Sequence, residues 1–190
     1  MTSKRSTNGS SNHLWKGLAA GLIGGLVASW TMNRFQDVWS KLAQGNQTSP
    51  RAQDPLSNHP ERDEQAEASS ESEDDTTVRT ASAISEGLFD HKLTQKEKKI
   101  AGPAVHYTLG TGVGGLYGAA AEIAPEVTAG AGLPFGAVFW LVVDEGVVPL
   151  LGLSKGPTAY PLSTHAYALS SHFVYGLTAE IVRRVIRRAI

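Results

Sequence analysis

The chain contains no cysteine, so disulfides, thiolate nucleophiles and thiolate metal sites are excluded. It also lacks H-E-x-x-H; G-L-S-K-G at 152–156 and G-T-G-V-G-G at 110–115 match G-x-S-x-G and G-x-G-x-x-G by letters alone, the one in a turn-rich connection and the other inside an apolar span, neither between a strand and a helix. No named reaction is recommended, and the expectation is a protein that is not an enzyme and uses no cofactor and no metal. An excess of one charge is missing as well. The 17 Lys and Arg nearly balance the 18 Asp and Glu, for a formal net charge of −1. The basic residues flank apolar runs and form no nucleic-acid face.

With 190 residues, 41% of them hydrophobic, the chain has the averages of one soluble domain. Those averages blend two materials. Residues 44–79 are polar and acidic, with eight acidic residues and only Arg62 in opposition between Glu61 and Asp75. Such a stretch buries too little apolar surface to offset its ordering entropy, and it reads as a disordered insert. The rest contains long runs almost free of charge. Twenty glycines suit membrane helices, where glycine permits close packing.

After a polar tail at 1–13, Leu14–Met32 reads LWKGLAAGLIGGLVASWTM, with Lys16 its only charge. Nineteen residues at about 1.5 Å each reach about 28 Å, close to the roughly 30 Å bilayer core. No A-x-A-like cleavage site follows; Trp30, Asn33 and Arg34 stand there, and the segment reads as a retained helix. Gly17, Gly21 and Gly25 form a flat strip on one face. Phe35, Val38, Trp39 and Leu42 continue at helical spacing to residue 43, an extension at the headgroups. An amphipathic surface helix is expected over 80–100, from Ala81, Ile84, Leu88 and Phe89 into the Lys96–Lys99 run. The region 101–190 then holds three spans, 101–123, 133–152 and 162–185. The expected fold is an all-α membrane protein of about four transmembrane helices packed through glycine strips.

In the second span Gly110, Gly114 and Gly118 repeat the four-residue glycine spacing. The second and fourth spans share Y-G-x-x-A-E-I, from Tyr117 to Ile123 and from Tyr175 to Ile181, with Gly176 in the second copy. Each has a histidine upstream, His106 and His165. With two spans between the copies, the two helices run the same way, as in a parallel repeat. Chance small-residue bias accounts for the match equally well. AEIVRRVIRR after a histidine-bearing span, VVPLLGL ending the preceding one and AGLIGGLVASW near the start resemble the YagU-like family of small bacterial multi-pass inner-membrane proteins. The resemblance implies location and architecture, and it supplies no catalytic residue.

Ionisable groups within spans are costly, roughly 2.5–3.5 kcal/mol at mid-bilayer, and usually have partners. His165 and His172 lie about 20° apart around the fourth helix, with Glu180 about 80° from His172. Asp144 and Glu145 point about 100° apart on an ideal helix, so only one is expected to share an interior site with that stripe. His106, Glu122, Asp144, Glu145, His165, His172 and Glu180 therefore form the candidate buried polar set. They fit a structural role in a membrane component that binds partners, or a proton or cation relay built on histidine, which changes charge near neutrality. The expected partners are the lipid bilayer and, through the glycine strips, a second copy or another membrane protein. Arg183, Arg184, Arg187 and Arg188 favour a cytoplasmic C-terminus by the positive-inside rule. Four crossings put the N-terminus on the same side and Lys96–Lys99 outside; a re-entrant Asp144–Glu145 segment reverses both.

Overall fold

The computed structural model describes residues 7–45 and 63–190, with side chains over 13–43 and 76–190. Among the described residues all regular structure is helical. Helix α1 spans Thr7–Gly45, α2 Asp63–Phe89 and α3 Gln95–Ile123. A 3-10 segment, Pro125–Gly132, leads into α4, Leu133–Val142. A π turn, Val143–Val147, and the short α5, Val148–Leu150, continue that column. Helix α6, Leu162–Ala189, closes the chain.

Glycine decides how these helices meet. A Cβ on Gly17 would lie 2.6 Å from Gly118 O, and one on Gly114 would lie 2.5 Å from Gly25 Cα. Gly21 fits against Gly114 and Gly118, and Gly25 against Gly110 and Gly114. The order of these contacts makes α1 and α3 antiparallel, backbone on backbone. Helix α6 packs on an adjoining face of α1, where a Cβ on Gly24 would lie 2.8 Å from Ala179 O. Gly132 and Gly136 seat α4 against Gly176 and the His172 carbonyl of α6. Gly132 must be glycine twice over, since its φ is +85° and a Cβ there would strike Gly176. Contacts from Gly132–Gly176 to Glu145–His165 show the α4–α5 column running antiparallel along α6 between His165 and Glu180. Tyr117–Glu180 and Gly110–Tyr175 contacts make α3 and α6 parallel, the direction the repeat predicts.

This packing gives an interior of small and polar residues with Met32 and a few aromatics, and an exterior of leucines, isoleucines and valines. Ala20, Ala28, Ser29 and Ser171 are completely buried. Leu26 is 50% exposed, Leu116 70%, Leu141 57% and Ile181 53%. Interior hydroxyls bond back along their own helices, Ser29 Oγ to Gly25 O at 2.9 Å and Ser171 Oγ to Tyr167 O at 3.0 Å. Among the described residues one helical stretch, Pro125–Leu150, is long and apolar enough to cross a membrane, and only 11% of its apolar window is buried. Helices α1, α3 and α6 do not reach that standard, because glycines, hydroxyls, histidines and arginines dilute their apolar residues.

Two expectations about the middle of the chain change. Of the predicted disordered stretch 44–79, residues 46–62 lie outside the described residues, while 63–79 is helical and belongs to α2. Its first turns, Glu64-Gln65-Ala66-Glu67-Ala68, are good helix formers. Its later turns also have a partner, since Val78 Cγ2 sits 2.9 Å from where a Gly102 Cβ would be and Ala81 is buried. The predicted single helix over 80–100 is two helix ends. Helix α2 stops at Phe89, and a capping box starts α3, with Glu97 N donating to Thr94 Oγ1 (3.4 Å) and Thr94 N to Glu97 Oε2 (2.7 Å).

Gly112 and Gly114 test the glycine argument against each other, because a Cβ at Gly112 would meet nothing within 4 Å. Gly112→Ala should stabilise the bundle by about 0.5–1 kcal/mol through helix propensity. Gly114→Ala should destabilise it by roughly 1–3 kcal/mol through overpacking. Reversible unfolding in mixed micelles reads both, and a shared sign would sink the account. The capping box carries a pH dependence. The Thr94 backbone N–H, foremost, holds the Glu97 carboxyl below the usual carboxylate value. A lowered folded value means the contribution is full above the unfolded pKa of about 4.3 and is lost as pH falls through the folded value. Amide exchange in the first turn of α3 should therefore quicken in acid, and Glu97→Gln, which has no charge to lose, should remove that dependence.

Candidate functional site

The seven polar residues singled out from the sequence divide between the two ends of the bundle. Glu122 and Glu180 lie at the end shared by the start of α1 and the finish of α6. Glu180 is fully buried and surrounded by donors. Tyr117 Oη donates to its Oε2 at 2.9 Å, Arg183 Nε to Oε2 at 2.7 Å and Arg183 Nη2 to Oε1 at 2.9 Å. Arg184 Nε also donates to Oε1. Arg187 makes a two-pronged pair with Glu122 at 2.6 and 3.1 Å, and its Nη2 also donates to His13 Nδ1 at 2.9 Å. Lys16 Nζ donates to Ile190 O at 2.5 Å. Arg188 is exposed. This end has no spare acceptor capacity directed inward, and it joins α1, α3 and α6.

The repeat has an interlocking use. Tyr117 of the first copy bonds Glu180 of the second, and Tyr175 of the second donates to Gly110 O beside the first at 2.5 Å.

His106, Asp144, Glu145, His165 and His172 lie at the other end, around one cavity of about 340 Å³. His165 Nδ1 is 2.6 Å from Glu145 Oε1, and its Nε2 is 3.0 Å from Pro157 O. A carbonyl only accepts, so Nε2 carries a proton, and one further proton is held between Nδ1 and Glu145. His172 Nδ1 donates to Ala168 O at 2.9 Å, while its Nε2 stands 3.6 Å from Asp144 Oδ2, beyond a hydrogen bond. His106 lines the same cavity from α3.

Both carboxylates thus meet histidines of α6, where an ideal helix predicts only one. The π turn is the reason. It takes more residues per turn than an α-helix, so the angle between Asp144 and Glu145 is narrowed. The two histidines also stand two turns apart along α6, one for each carboxylate.

An aromatic layer separates the two ends. Phe135 stacks on Tyr117 with ring centres 4.0 Å apart, Phe139 lies 5.1 Å from Tyr175, and Phe139 presents an edge contact to His172 at 5.1 Å. The sequence reading passed over Phe135, Phe139 and the role of Tyr117, although Phe135 and Phe139 stand one helical turn apart. It also passed over Gly24, Gly132 and Gly136. Beside the cavity, Trp140 Nε1 is buried with no hydrogen-bond partner among the described residues.

Glu180→Gln leaves two guanidiniums facing a neutral amide and should cost roughly 3 kcal/mol, the low end for breaking a buried pair because Arg184 is 47% exposed. Tyr117→Phe removes one hydrogen bond and should cost about 1 kcal/mol. Unfolding in a denaturing detergent series checks the ranking, and equal losses would contradict it.

No curated protein and no solved structure matches the chain. One family model does, over residues 76–181, more than half the chain. The match takes in the later turns of α2, all of α3 and the α4–α5 column, and α6 as far as Ile181, so both histidine–carboxylate pairs fall inside it. The chain belongs to the family described as "Protein of unknown function (DUF1440)".

Proposed function

We propose that this protein crosses a bacterial inner membrane four times, through α1, α3, the α4–α5 column and α6. We further propose that its cavity is a vestibule, open from one side, in which two histidine–carboxylate pairs accept a proton or a cation. The observation that carries the membrane reading is the inside-out distribution of side chains. In water each outward leucine or isoleucine forgoes about 1.5–3 kcal/mol of burial, whereas against lipid tails it forgoes nothing. Backbone contact through glycine and self-satisfied hydroxyls suit the same solvent. The resemblance to the YagU-like family agrees with this location.

Helix directions favour four crossings over three and a re-entrant segment, because α1 begins where α6 ends. The arginines at that end then mark the cytoplasmic side, and α2 with the cavity mouth faces away from it. The aromatic layer favours a vestibule over an open channel, since it lies between the cavity and the arginine end. A role in partner binding through the glycine strips draws less support, because Gly17, Gly21, Gly25, Gly110, Gly114, Gly118 and Gly176 are all engaged within the chain.

A chain without cysteine accepts single reporters cleanly. Leu88→Cys at the end of α2 and Leu151→Cys at the cavity should react with an impermeant maleimide in cells with a permeabilised outer membrane. Arg188→Cys should react only after the inner membrane is opened. Labelling of Leu88→Cys and Arg188→Cys from the same side would overturn the four-crossing topology. Labelling of Leu151→Cys from the Arg188 side would overturn the vestibule.

A further inference from the structure

The His172–Asp144 pair lines the cavity, and no other described residue donates to it. Ala168 O fixes the proton of the neutral ring on Nδ1, so Nε2 turns a lone pair toward Asp144 Oδ2, 3.6 Å away. The His172 side chain is 5% exposed, whereas that of Asp144 is 35% exposed and opens toward the cavity. Asp144 has no hydrogen bond to any described residue. With Asp144 ionised, two acceptors therefore face one another and no described residue donates between them. The neighbouring pair differs, because Glu145 and His165 are within 2.6 Å and already share a proton. The arginine end differs again, because there the donors outnumber the carboxylates.

The surroundings narrow what can supply the missing donors. Leu109, Phe139, Val147 and Val148 make the cavity wall largely apolar. Its volume of about 340 Å³ lies at the small end of ordinary ligand pockets, roughly 300–1,000 Å³. No group of three or more His, Asp or Glu among the described residues is placed to hold a metal ion. A bare inorganic cation would find too few protein ligands here, so the cation that suits this vestibule is one that carries its own donors. An anion would meet the Asp144 carboxylate, and a neutral hydrocarbon would leave both acceptors unserved. An alkylammonium has several N–H donors on one charge and an apolar body to lie along the wall.

We infer that the cavity binds a protonated amphipathic amine, its ammonium donating to Asp144 and to His172 Nε2 and its hydrocarbon lying against Leu109, Phe139 and Val147. This rests on the vestibule reading and names its ligand class. Asp144 supplies the counter-charge; His172 is a positioning residue that fixes the direction of the N–H.

The test is equilibrium binding of radiolabelled n-octylammonium to the full chain in lipid nanodiscs, with empty nanodiscs subtracted. n-Octanol and octanoate are the neutral and anionic competitors; octanoate is the one that Lys155 at the exposed rim would prefer. Saturable binding of about one octylammonium per chain, displaced by other alkylamines and by neither competitor, is the expected result. Asp144→Asn should weaken it about tenfold or more, Asp144→Glu should retain most of it, and Leu116→Ala on the lipid face should leave it unchanged. Equal displacement by octanol and octylamine overturns the inference without any variant, so a variant that fails to insert leaves the test intact. Absence of saturable binding also overturns it. If Leu151→Cys labels as expected in either case, the vestibule stands and only the amine is lost.

Discussion

The structure depends on how closely α1 and α3 approach. With Gly17, Gly21 and Gly25 set against Gly118, Gly114 and Gly110, the two backbones touch over about two turns. Packing of this kind gains from dispersion between main chains and loses no side-chain entropy, which suits a medium without a hydrophobic drive between helices. It also dictates what the other faces do. With the inner faces given to glycine and alanine, the leucines, isoleucines and valines turn outward. The same approach sets Ser29 beside Gly110 and carries the first turns of α1 to the arginines of α6.

Histidines and carboxylates of the same types behave differently at the two ends, and the difference is a count of hydrogen atoms. Around Glu180 two arginines and a tyrosine supply every proton the carboxylate can accept. Breaking one such contact leaves a buried charge unsatisfied, which is a structural penalty. Around Asp144 no described residue donates, and its side chain is about a third exposed. A site short of donors is open to a ligand, and the cavity provides the space for one. The aromatic layer of Tyr117, Phe135, Phe139 and Tyr175 lies between these two ends.

Helical character was legible because the apolar runs are long and the glycine spacing of four is a local signal. Partners across helices were not, since Glu122–Arg187 and Tyr117–Glu180 join residues more than sixty positions apart. The grouping of Asp144 and Glu145 was misread because the angle of 100° per residue assumes an uninterrupted α-helix, and no residue in VDEGV announces a π turn. The start of α3 was misread for the opposite reason. Thr94-Gln95-Lys96-Glu97 is a capping box in plain view, masked by the lysine run around it. Helix in the acidic stretch was overlooked because composition was weighed above the helix propensity of its Ala, Glu and Gln.

The pairing of Glu122 with Arg187 has a consequence for how the bundle is made. The two residues are 65 apart in the chain, and the arginine stands in the last turns of α6. A chain is synthesised from its N-terminus at about 5–20 residues per second, so α3 waits several seconds with its terminal carboxylate unmatched. Helices α1 and α3 already fit by shape during that interval, but the electrostatic closure is supplied last. Assembly therefore has an order, with a glycine contact formed early and a late latch of arginines that holds the finished bundle shut.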